Sequence, residues 1–296
     1  MLAGPTAVGK TALSIKLAQA YDSVILSADS RQFYKELNIG TAKPHRQQLQ
    51  EVQHFFINTK NIGDLYGAGH FEKDAIGMLK TLFEKHHVVF MVGGSGLYID
   101  AVLNGVDDFE EVPISVRAAI NQEYEVKGLE WLQKSVEEID PEYYRTVDPK
   151  NPQRLIRSLE LMRHTGRTYS SFLDKGNVQR EFKAVKILLN RSRPELYKRI
   201  NERVDEMMAE GLLAEAKQFF SQKNTNALKT VGYKELYEHL EGKYDLSTAI
   251  EKIKQHTRNY AKRQLTWFKN RDLFTELEAS DFETIKAFID EQLKDD

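Results

Sequence analysis

The pattern of apolar and polar positions in the first third of the chain predicts strands and helices in alternation. Two runs rich in β-branched residues, VILSADS at 24–30 and VVFMVGG at 88–94, end in turn residues and predict buried parallel strands. Between them, the segment 70–86 has apolar residues at helical spacing, namely Phe71, Ala75, Met78, Leu79 and Leu82. HFFIN at 54–58 is a weaker strand candidate. Strand, helix and strand at this spacing indicate βαβ units and a parallel sheet.

The pattern becomes helical after about residue 110 and stays so for some seventy residues. The clearest helices are predicted at 131–140 and 151–166, the second with Pro152 near its start and a glycine at its stop. AVKILLN at 184–190 then predicts another buried strand, and the remainder has mostly helical periodicity.

A helical block between core strands indicates an insertion rather than a second domain in tandem. We therefore predict an α/β fold whose core, a parallel sheet flanked by helices, spans 1–111 and 181–296. An all-helical insertion domain is expected at 112–180.

Composition narrows the classes of function that remain. The 296 residues carry a formal net charge of -2, so any binding of nucleic acid must depend on a local basic patch. The absence of cysteine excludes disulfides, thiolate nucleophiles and cysteine-type zinc sites. The chain contains neither an apolar run of about 18 residues nor a signal-peptide pattern, so we expect a cytoplasmic protein that makes no use of a membrane.

The stretch GPTAVGKT at 4–11 has the spacing of a P-loop, which makes the core a P-loop core. Its glycines let backbone N–H groups turn toward phosphate oxygens, Lys10 adds a positive charge, and the Thr11 hydroxyl can ligate Mg²⁺. Helical periodicity follows, so the N-terminus of a helix adds partial positive charge. Only three residues precede the loop, so we expect either a very short first strand or a chain that lacks the start of it.

Two further features follow predicted strands. Asp29 closes the strand at 24–30, where open α/β sheets place their sites, although an aspartate there can also be a turn former. GGSGLY at 93–98 has three glycines in four residues, which allow close approach of a ligand or of another backbone, or form a tight structural turn.

The C-terminal region supplies a basic patch. The run 252–271 contains no acidic residue, and Lys254, Arg258 and Lys262 recur every four positions, with Lys269 further along the same side of a helix. The aromatic residues interleaved with them are Tyr260, Trp267 and Phe268. This composition is typical either of a solvated helix face or of an RNA-binding surface.

Together these elements closely resemble the tRNA dimethylallyltransferase family, also called tRNA isopentenyltransferases, in its bacterial form without a zinc finger. The matching stretches are GPTAVGKT (4–11), SADSRQFY (27–34), IGTAKP (39–44), VGGSGLY (92–98), NPQRLIRSLE (151–160), VGYKE (231–235) and AKRQLTWF (261–268). They occur in order and cover nearly all of the chain.

The resemblance implies transfer of a dimethylallyl group from dimethylallyl diphosphate to N6 of adenosine at tRNA position 37, with release of diphosphate. Mg²⁺ is the implied cofactor, the tRNA anticodon stem-loop is the implied partner, and we expect a monomer. It further implies that Asp29 is the general base that accepts the N6 proton and that Thr6 lies near the reacting centre.

The resemblance also implies binding residues. Those for diphosphate are Gly4, Pro5, Thr6, Ala7, Val8, Gly9, Lys10, Thr11 and Lys229, with Thr11 as the metal ligand. Those for tRNA are Asp29, Ser30, Arg31, Gln32, Ser95, Arg117, Gln153, Arg154, Leu155, Ile156 and Arg157, and the basic run adds Arg258, Lys262 and Arg263. The alternative for 153–157 is an amphipathic insertion helix in which Leu155 and Ile156 belong to the core. The family commonly has threonine at the position of Ser95 and arginine at that of Lys229, and a lysine keeps the charge without the bidentate fork.

Several alternatives stay open on sequence alone. A small-molecule P-loop kinase would use the same Lys10 and Thr11 but gives no reason for an acid-free basic helix. A GTPase is disfavoured because the chain lacks an N-K-x-D motif. An adenylate isopentenyltransferase is chemically close, but QRLIR in the insertion and the basic run favour tRNA over a free nucleotide. A non-catalytic RNA-binding module is disfavoured by the intact Lys10, Thr11 and Asp29.

Overall fold

A parallel six-stranded sheet forms the centre of the computed structural model, which describes residues 1–107, 109–173, 178–271 and 274–294. The strands are β1 (Leu2–Ala3), β2 (Ile25–Ala28), β3 (His54–Phe55), β4 (Phe90–Gly93), β5 (Ile187–Asn190) and β6 (Thr275–Glu278). Their spatial order is β3-β2-β4-β1-β5-β6, and every neighbouring pair is parallel. The predicted parallel sheet flanked by helices is confirmed.

Helices make up most of the remaining chain. They are α1 (Lys10–Ala20), α2 (Arg46–Glu51), α3 (Ala68–Phe83), α4 (Gly96–Asn104), α5 (Ile114–Ile139), α6 (Pro141–Tyr144), α7 (Pro152–Thr165), α8 (Arg193–Ala209), α9 (Leu212–Gln218), α10 (Tyr233–Leu240), α11 (Leu246–Lys269) and α12 (Phe282–Lys294). Short 3₁₀ turns occur at Ser170–Phe172, Phe220–Gln222 and Asn226–Leu228. Within the described ranges, no helix is long and apolar enough to cross a bilayer.

The chain divides into two compact units. The first unit consists of Met1–Leu103 and Arg180–Asp296 and contains the whole sheet, and the second unit is Asn104–Gln179. The insertion was predicted at 112–180. The observed unit begins eight residues earlier, at Asn104, and ends one residue earlier, at Gln179.

Helices cover both faces of the sheet in the first unit. Since successive strand residues point to opposite faces, each strand contributes side chains to both layers of the core. One face packs against α1, α8 and α12 through residues such as Leu13, Ile200 and Ile285. The other packs against α3 and α4 through residues such as Phe71 and Ile99. Burial on both faces explains why the central strands carry continuous apolar runs.

The strand that precedes the phosphate loop is present and is two residues long. Leu2 and Ala3 are fully buried, and β1 pairs with β4 on one side and β5 on the other. Neighbours on both edges hold this short strand, so the phosphate loop follows a strand of the sheet as its motif requires.

β6 is a difference from the sequence prediction, which extends helical structure through the C-terminal region. Its sequence TELE has one apolar residue, Leu277, and most of the strand is exposed. This strand lies at the edge of the sheet and is mostly exposed, so its sequence shows little apolar periodicity. Its pairing with β5, rather than a local pattern, makes this segment a strand.

The described residues of the second unit, which are 104–107, 109–173 and 178–179, form helices and no strand, and the unit has its own core. Ile120 and Leu132 of α5 pack with Leu155 and Leu159 of α7. The predicted boundaries of α7 are confirmed: the Asn151 side chain accepts the Arg154 N–H at its start, and a glycine in the left-handed region ends it.

Removing the buried Leu155 side chain should destabilise the second unit. Leu155→Ala leaves a cavity, and we expect a loss of about 2–5 kcal/mol in the free energy of unfolding. Urea unfolding followed by Trp131 fluorescence reports on this unit when Trp267, the other tryptophan in the chain, is replaced by phenylalanine. The exposed Arg154→Ala is the matched control and should change the stability by less than about 0.5 kcal/mol. Equal stability of the two variants would contradict the packing of Leu155.

Candidate functional site

The phosphate loop leaves the carboxyl end of β1 and runs into α1. Gly9 caps the helix with φ of 111°, in the left-handed region that glycine adopts readily, and Ala7 also has a positive φ of 63°. Left-handed conformations of this kind are typical of loops whose successive N–H groups form an anion-binding concavity at a helix N-terminus. The structure thus shows a loop with two positive-φ residues that runs from a strand into a helix, which is compatible with the predicted phosphate cradle.

Lys10 folds back over this loop. Its Nζ donates to the carbonyl oxygens of Gly4 at 2.9 Å and Pro5 at 2.7 Å. Burial lowers the pKa of Lys10 to about 7, an effect that Asp29 opposes and Arg203 reinforces. The ammonium is thus poorly hydrated and close to another cation, two conditions that a bound anion would relieve.

A cavity of about 820 Å³ opens beside the loop, and every residue lining it belongs to the first unit. It brings together the predicted Thr6, Lys10 and Thr11 with the Asp29 to Gln32 segment and with Lys229. The predicted phosphate-binding residues and the predicted base thus line one cavity.

Asp29 follows β2 and lies in this cavity. Its Oδ1 accepts the N–H of Arg31 at 2.9 Å, and the neighbouring Ser30 N–H donates to the Ser95 hydroxyl at 2.9 Å. Burial raises the pKa of Tyr260 to about 12, and the negative charge of Asp29 contributes to that shift. Asp29 is therefore held by its own turn, beside a tyrosine that stays protonated near neutral pH.

Gln32 lines the same cavity, and its amide is tied to a neighbouring loop. Its Nε2 donates to the carbonyl oxygens of Thr41 and Ala42, each at 3.3 Å, and its Oε1 accepts the Ser27 hydroxyl. The Gln32 amide therefore has a fixed orientation.

Two arginines of α8 were missed in the sequence. Arg199 and Arg203 line the cavity, and the Arg199 Nε donates to the Ala7 carbonyl at 2.8 Å. Burial lowers the pKa of Arg203, with Asp29 and Glu206 opposing the shift. The spacing of four residues between the two arginines, on the helix after a core strand, is the signal that could have identified them.

The glycine-rich turn at 93–96 accommodates two side chains of α11. A Cβ on Gly94 would lie 2.2 Å from Gln264 Nε2, and one on Gly96 would lie 2.1 Å from Trp267 Nε1. The buried Gln264 accepts the Thr6 N–H and donates to the Gly94 carbonyl, both at 2.9 Å. Side chains of α11 thus approach Gly94 and Gly96, and the backbone of Ala28 approaches Gly93, as the alternative of a close backbone predicted. Gln264 links this turn to the phosphate loop.

The basic run of α11 is partly neutralised by acids from elsewhere in the chain. Lys254 pairs with Asp205 at 2.8 Å, and Lys269 pairs with Glu276 at 2.9 Å. Arg258 donates to the Asn201 side chain of α8 at 2.7 Å. The predicted stripe is therefore not a uniform face. Apart from these three residues its remaining member is the exposed Lys262, and the neighbouring Arg263 of the same basic run is also exposed and lines the cavity.

The tRNA-binding residues predicted in the second unit separate into surface and core. Gln153 and Arg154 are exposed. Leu155 and Ile156 are 0% and 2% exposed, so their side chains belong to the core and the expected RNA contact is corrected for these two.

The other two predicted tRNA-binding residues of the second unit are arginines, and both form ion pairs with the same buried glutamate. Arg117 and Arg157 both pair with Glu160, which is 2% exposed, and the Arg117 Nε lies 3.1 Å from its Oε2. A single buried carboxylate thus holds both guanidinium groups at the surface of the second unit.

Comparisons with known proteins all point to the same family. A family model described as IPP transferase matches residues 32–271. The tRNA dimethylallyltransferase of Christiangramia forsetii is 53% identical over 266 residues, covering 90% of this chain and 88% of that protein. That of Cytophaga hutchinsonii is 42% identical over 295 residues, covering 100% and 97%.

Solved structures match as well. The full-length tRNA isopentenylpyrophosphate transferase of Bacillus halodurans has a TM-score of 0.73 at 32% identity and covers 99% of this chain and 96% of its own. A eukaryotic dimethylallyltransferase acting on tRNA has a TM-score of 0.79 at 25% identity and covers 99% and 76%.

The lowered pKa of Lys10 predicts a pH-dependent affinity for inorganic diphosphate. Above about pH 7 the ligand-free Lys10 loses its proton, so binding must take one up, and the affinity should fall by up to about tenfold per pH unit. Lys10→Arg stays charged and should lack this contribution. Calorimetric titration from about pH 6 to about pH 9 compares the two proteins, and ionisation of diphosphate itself affects both equally. Identical pH profiles would rule out titration of Lys10.

Proposed function

Because the chain belongs to the IPP transferase family, we propose that it is a tRNA dimethylallyltransferase. It transfers the dimethylallyl group of dimethylallyl diphosphate to N6 of adenosine 37 in the anticodon loop and releases diphosphate. The observation that carries this proposal is that a phosphate cradle and Asp29 open into one cavity.

The diphosphate lies on the N–H groups of the loop, with Lys10, Arg199 and Arg203 around it. When the carbon–oxygen bond breaks, its electron pair stays on the departing oxygen, and preorganised donors stabilise the negative charge that develops there. The arginines add planar forks that suit phosphate oxygens. The exposed Lys229 at the cavity edge adds a further cation.

Mg²⁺ fits these residues in the way that phosphate sites commonly hold it. Among the described residues no group of three or more His, Asp or Glu side chains could hold a metal alone. Mg²⁺ typically keeps several waters and binds through one or two protein oxygens plus substrate phosphates, so the Thr11 hydroxyl at the cavity suffices on the protein side. When bound there, the ion neutralises charge on the diphosphate.

Asp29 provides the base. The N6 lone pair is delocalised into the adenine ring, so attack on the allylic carbon is coupled to loss of an N6 proton, which the Asp29 carboxylate accepts. The adenine must leave the stacked loop to reach this position. Ser30, Arg31 and Gln32 line its path, and the exposed cations of the second unit, with Lys262 and Arg263, contact the RNA backbone.

Incorporation of labelled dimethylallyl diphosphate into unmodified tRNA, with AMP offered in parallel, tests the function directly. We expect label in tRNA and none in AMP. Label in AMP alone would show an adenylate isopentenyltransferase instead, and label in neither would refute prenyl transfer to adenine.

Asp29→Asn should greatly lower turnover while diphosphate binding is kept. The amide oxygen can still accept the Arg31 N–H, but it cannot take a proton, so kcat should fall roughly 10²–10⁴-fold. The dissociation constant for inorganic diphosphate should stay unchanged. Asp22→Asn, at an exposed turn after α1, is the matched control. Loss of diphosphate binding in Asp29→Asn would indicate a metal-ligand role for Asp29.

Arg203→Gln should lower kcat/KM for dimethylallyl diphosphate by roughly 10²–10³-fold, because a preorganised cation at the leaving group is lost. Arg203→Lys keeps the charge but not the fork, so we expect an intermediate loss. Arg193→Gln, at the exposed start of α8, should have no effect. Steady-state kinetics with saturating tRNA measures all three, and wild-type kcat/KM in Arg203→Gln would exclude the residue from the site.

A further inference from the structure

Two of the sequence motifs have no role in the reaction described so far, IGTAKP at 39–44 and VGYKE at 231–235. They meet at Glu215 of α9. One carboxylate oxygen accepts the N–H groups of Asn38 at 3.0 Å and Ile39 at 2.9 Å. The other accepts the Gly40 N–H at 2.9 Å. Three successive backbone donors therefore converge on one side chain.

Tyr233 completes this arrangement. Its hydroxyl donates to the Glu215 Oε1 at 2.5 Å, and burial raises its pKa far above the ordinary value, with the Glu215 charge contributing. Its ring lies against Gly40, where an added Cβ would come within 2.6 Å. The loop at 38–40 is thus held by its hydrogen bonds to Glu215 and by the contact between Gly40 and the Tyr233 ring.

The loop held in this way reaches the cavity. Directly after Gly40, the carbonyl oxygens of Thr41 and Ala42 accept both donors from the Gln32 amide, and all four residues line the cavity. Gln32 lies three residues after Asp29, on the nucleotide side of the site. Contacts therefore run from Glu215 through the loop to Gln32.

We propose that Glu215 is a positioning residue for the nucleotide side of the site. By holding the 38–40 backbone it sets the Thr41 and Ala42 carbonyls, which orient Gln32 beside the position that the adenine enters. This inference rests on the proposed function. It assigns no role to Glu215 in binding diphosphate, because Glu215 does not line the cavity.

The chemistry of the side chain explains why a carboxylate is used here. A row of N–H groups carries partial positive charge, and a carboxylate offers two oxygens without any donor of its own. Glutamine would present an amide N–H₂ in place of one acceptor, toward the N–H groups or the Tyr233 hydroxyl. Glu215→Gln therefore disturbs the loop while it keeps the size of the side chain.

The kinetic test separates the two substrates. For Glu215→Gln and Glu215→Ala we expect kcat/KM for tRNA to fall on the order of tenfold, as for loss of hydrogen bonds to a charged group. KM for dimethylallyl diphosphate and the dissociation constant for inorganic diphosphate should both stay within about twofold, since the diphosphate contacts are untouched. Glu210→Gln, at the exposed end of α8, is the matched control.

A double-mutant cycle with Gln32→Ala tests whether Glu215 acts through Gln32. If it does, Gln32→Ala combined with Glu215→Gln should lose little more kcat/KM for tRNA than Gln32→Ala alone. Additive losses, equal losses for both substrates, or a lowered melting temperature with unchanged kinetics would each overturn the inference. A wild-type protein that fails to label tRNA would instead overturn the proposed function. Glu215→Gln is the informative variant if Glu215→Ala does not fold.

Discussion

Three cations, Lys10, Arg199 and Arg203, line one cavity beside the phosphate loop. The charge of Arg203 opposes the charged form of Lys10, and the charge of Arg199 opposes that of Arg203. Burial lowers the pKa values of Lys10 and Arg203, which shows that the charged forms are held at a cost. Carbonyl oxygens of the phosphate loop accept from Lys10 and Arg199, and the negative charge of Asp29 favours the charged forms of Lys10 and Arg203. A bound anion would relieve the repulsion among these cations. The two-residue β1, paired on both sides, and Gln264 on the Thr6 N–H keep the loop in place for it.

The sequence predicted those parts of the fold in which local pattern and tertiary environment agree. Strands β2, β4 and β5 are buried on both faces, so their apolar runs are unambiguous. β6 is an edge strand whose pairing with β5 joins segments some ninety residues apart, and no local pattern encodes such a contact.

The same distinction applies to the site. The phosphate loop and Asp29 have short local signatures, whereas Arg199 and Arg203 sit in a charged amphipathic helix whose composition resembles an ordinary solvent face. The acid-free run of α11 is a further case, because its acids come from α8 and β6. In the second unit, a motif within α7 contains both Arg154, which is exposed, and Leu155, which is core, and only the fold separates the two.

The turn at 93–96 and helix α11 constrain each other in size. Gln264 and Trp267 occupy the space where Cβ atoms of Gly94 and Gly96 would stand. A larger residue on the turn requires a smaller one on the helix, and a smaller helix residue leaves the Thr6 N–H without its acceptor or uncovers the turn. These positions lie some 170 residues apart in sequence. Among related chains they should therefore change as pairs or not at all, a covariation that records the packing of the phosphate loop against the helix behind it.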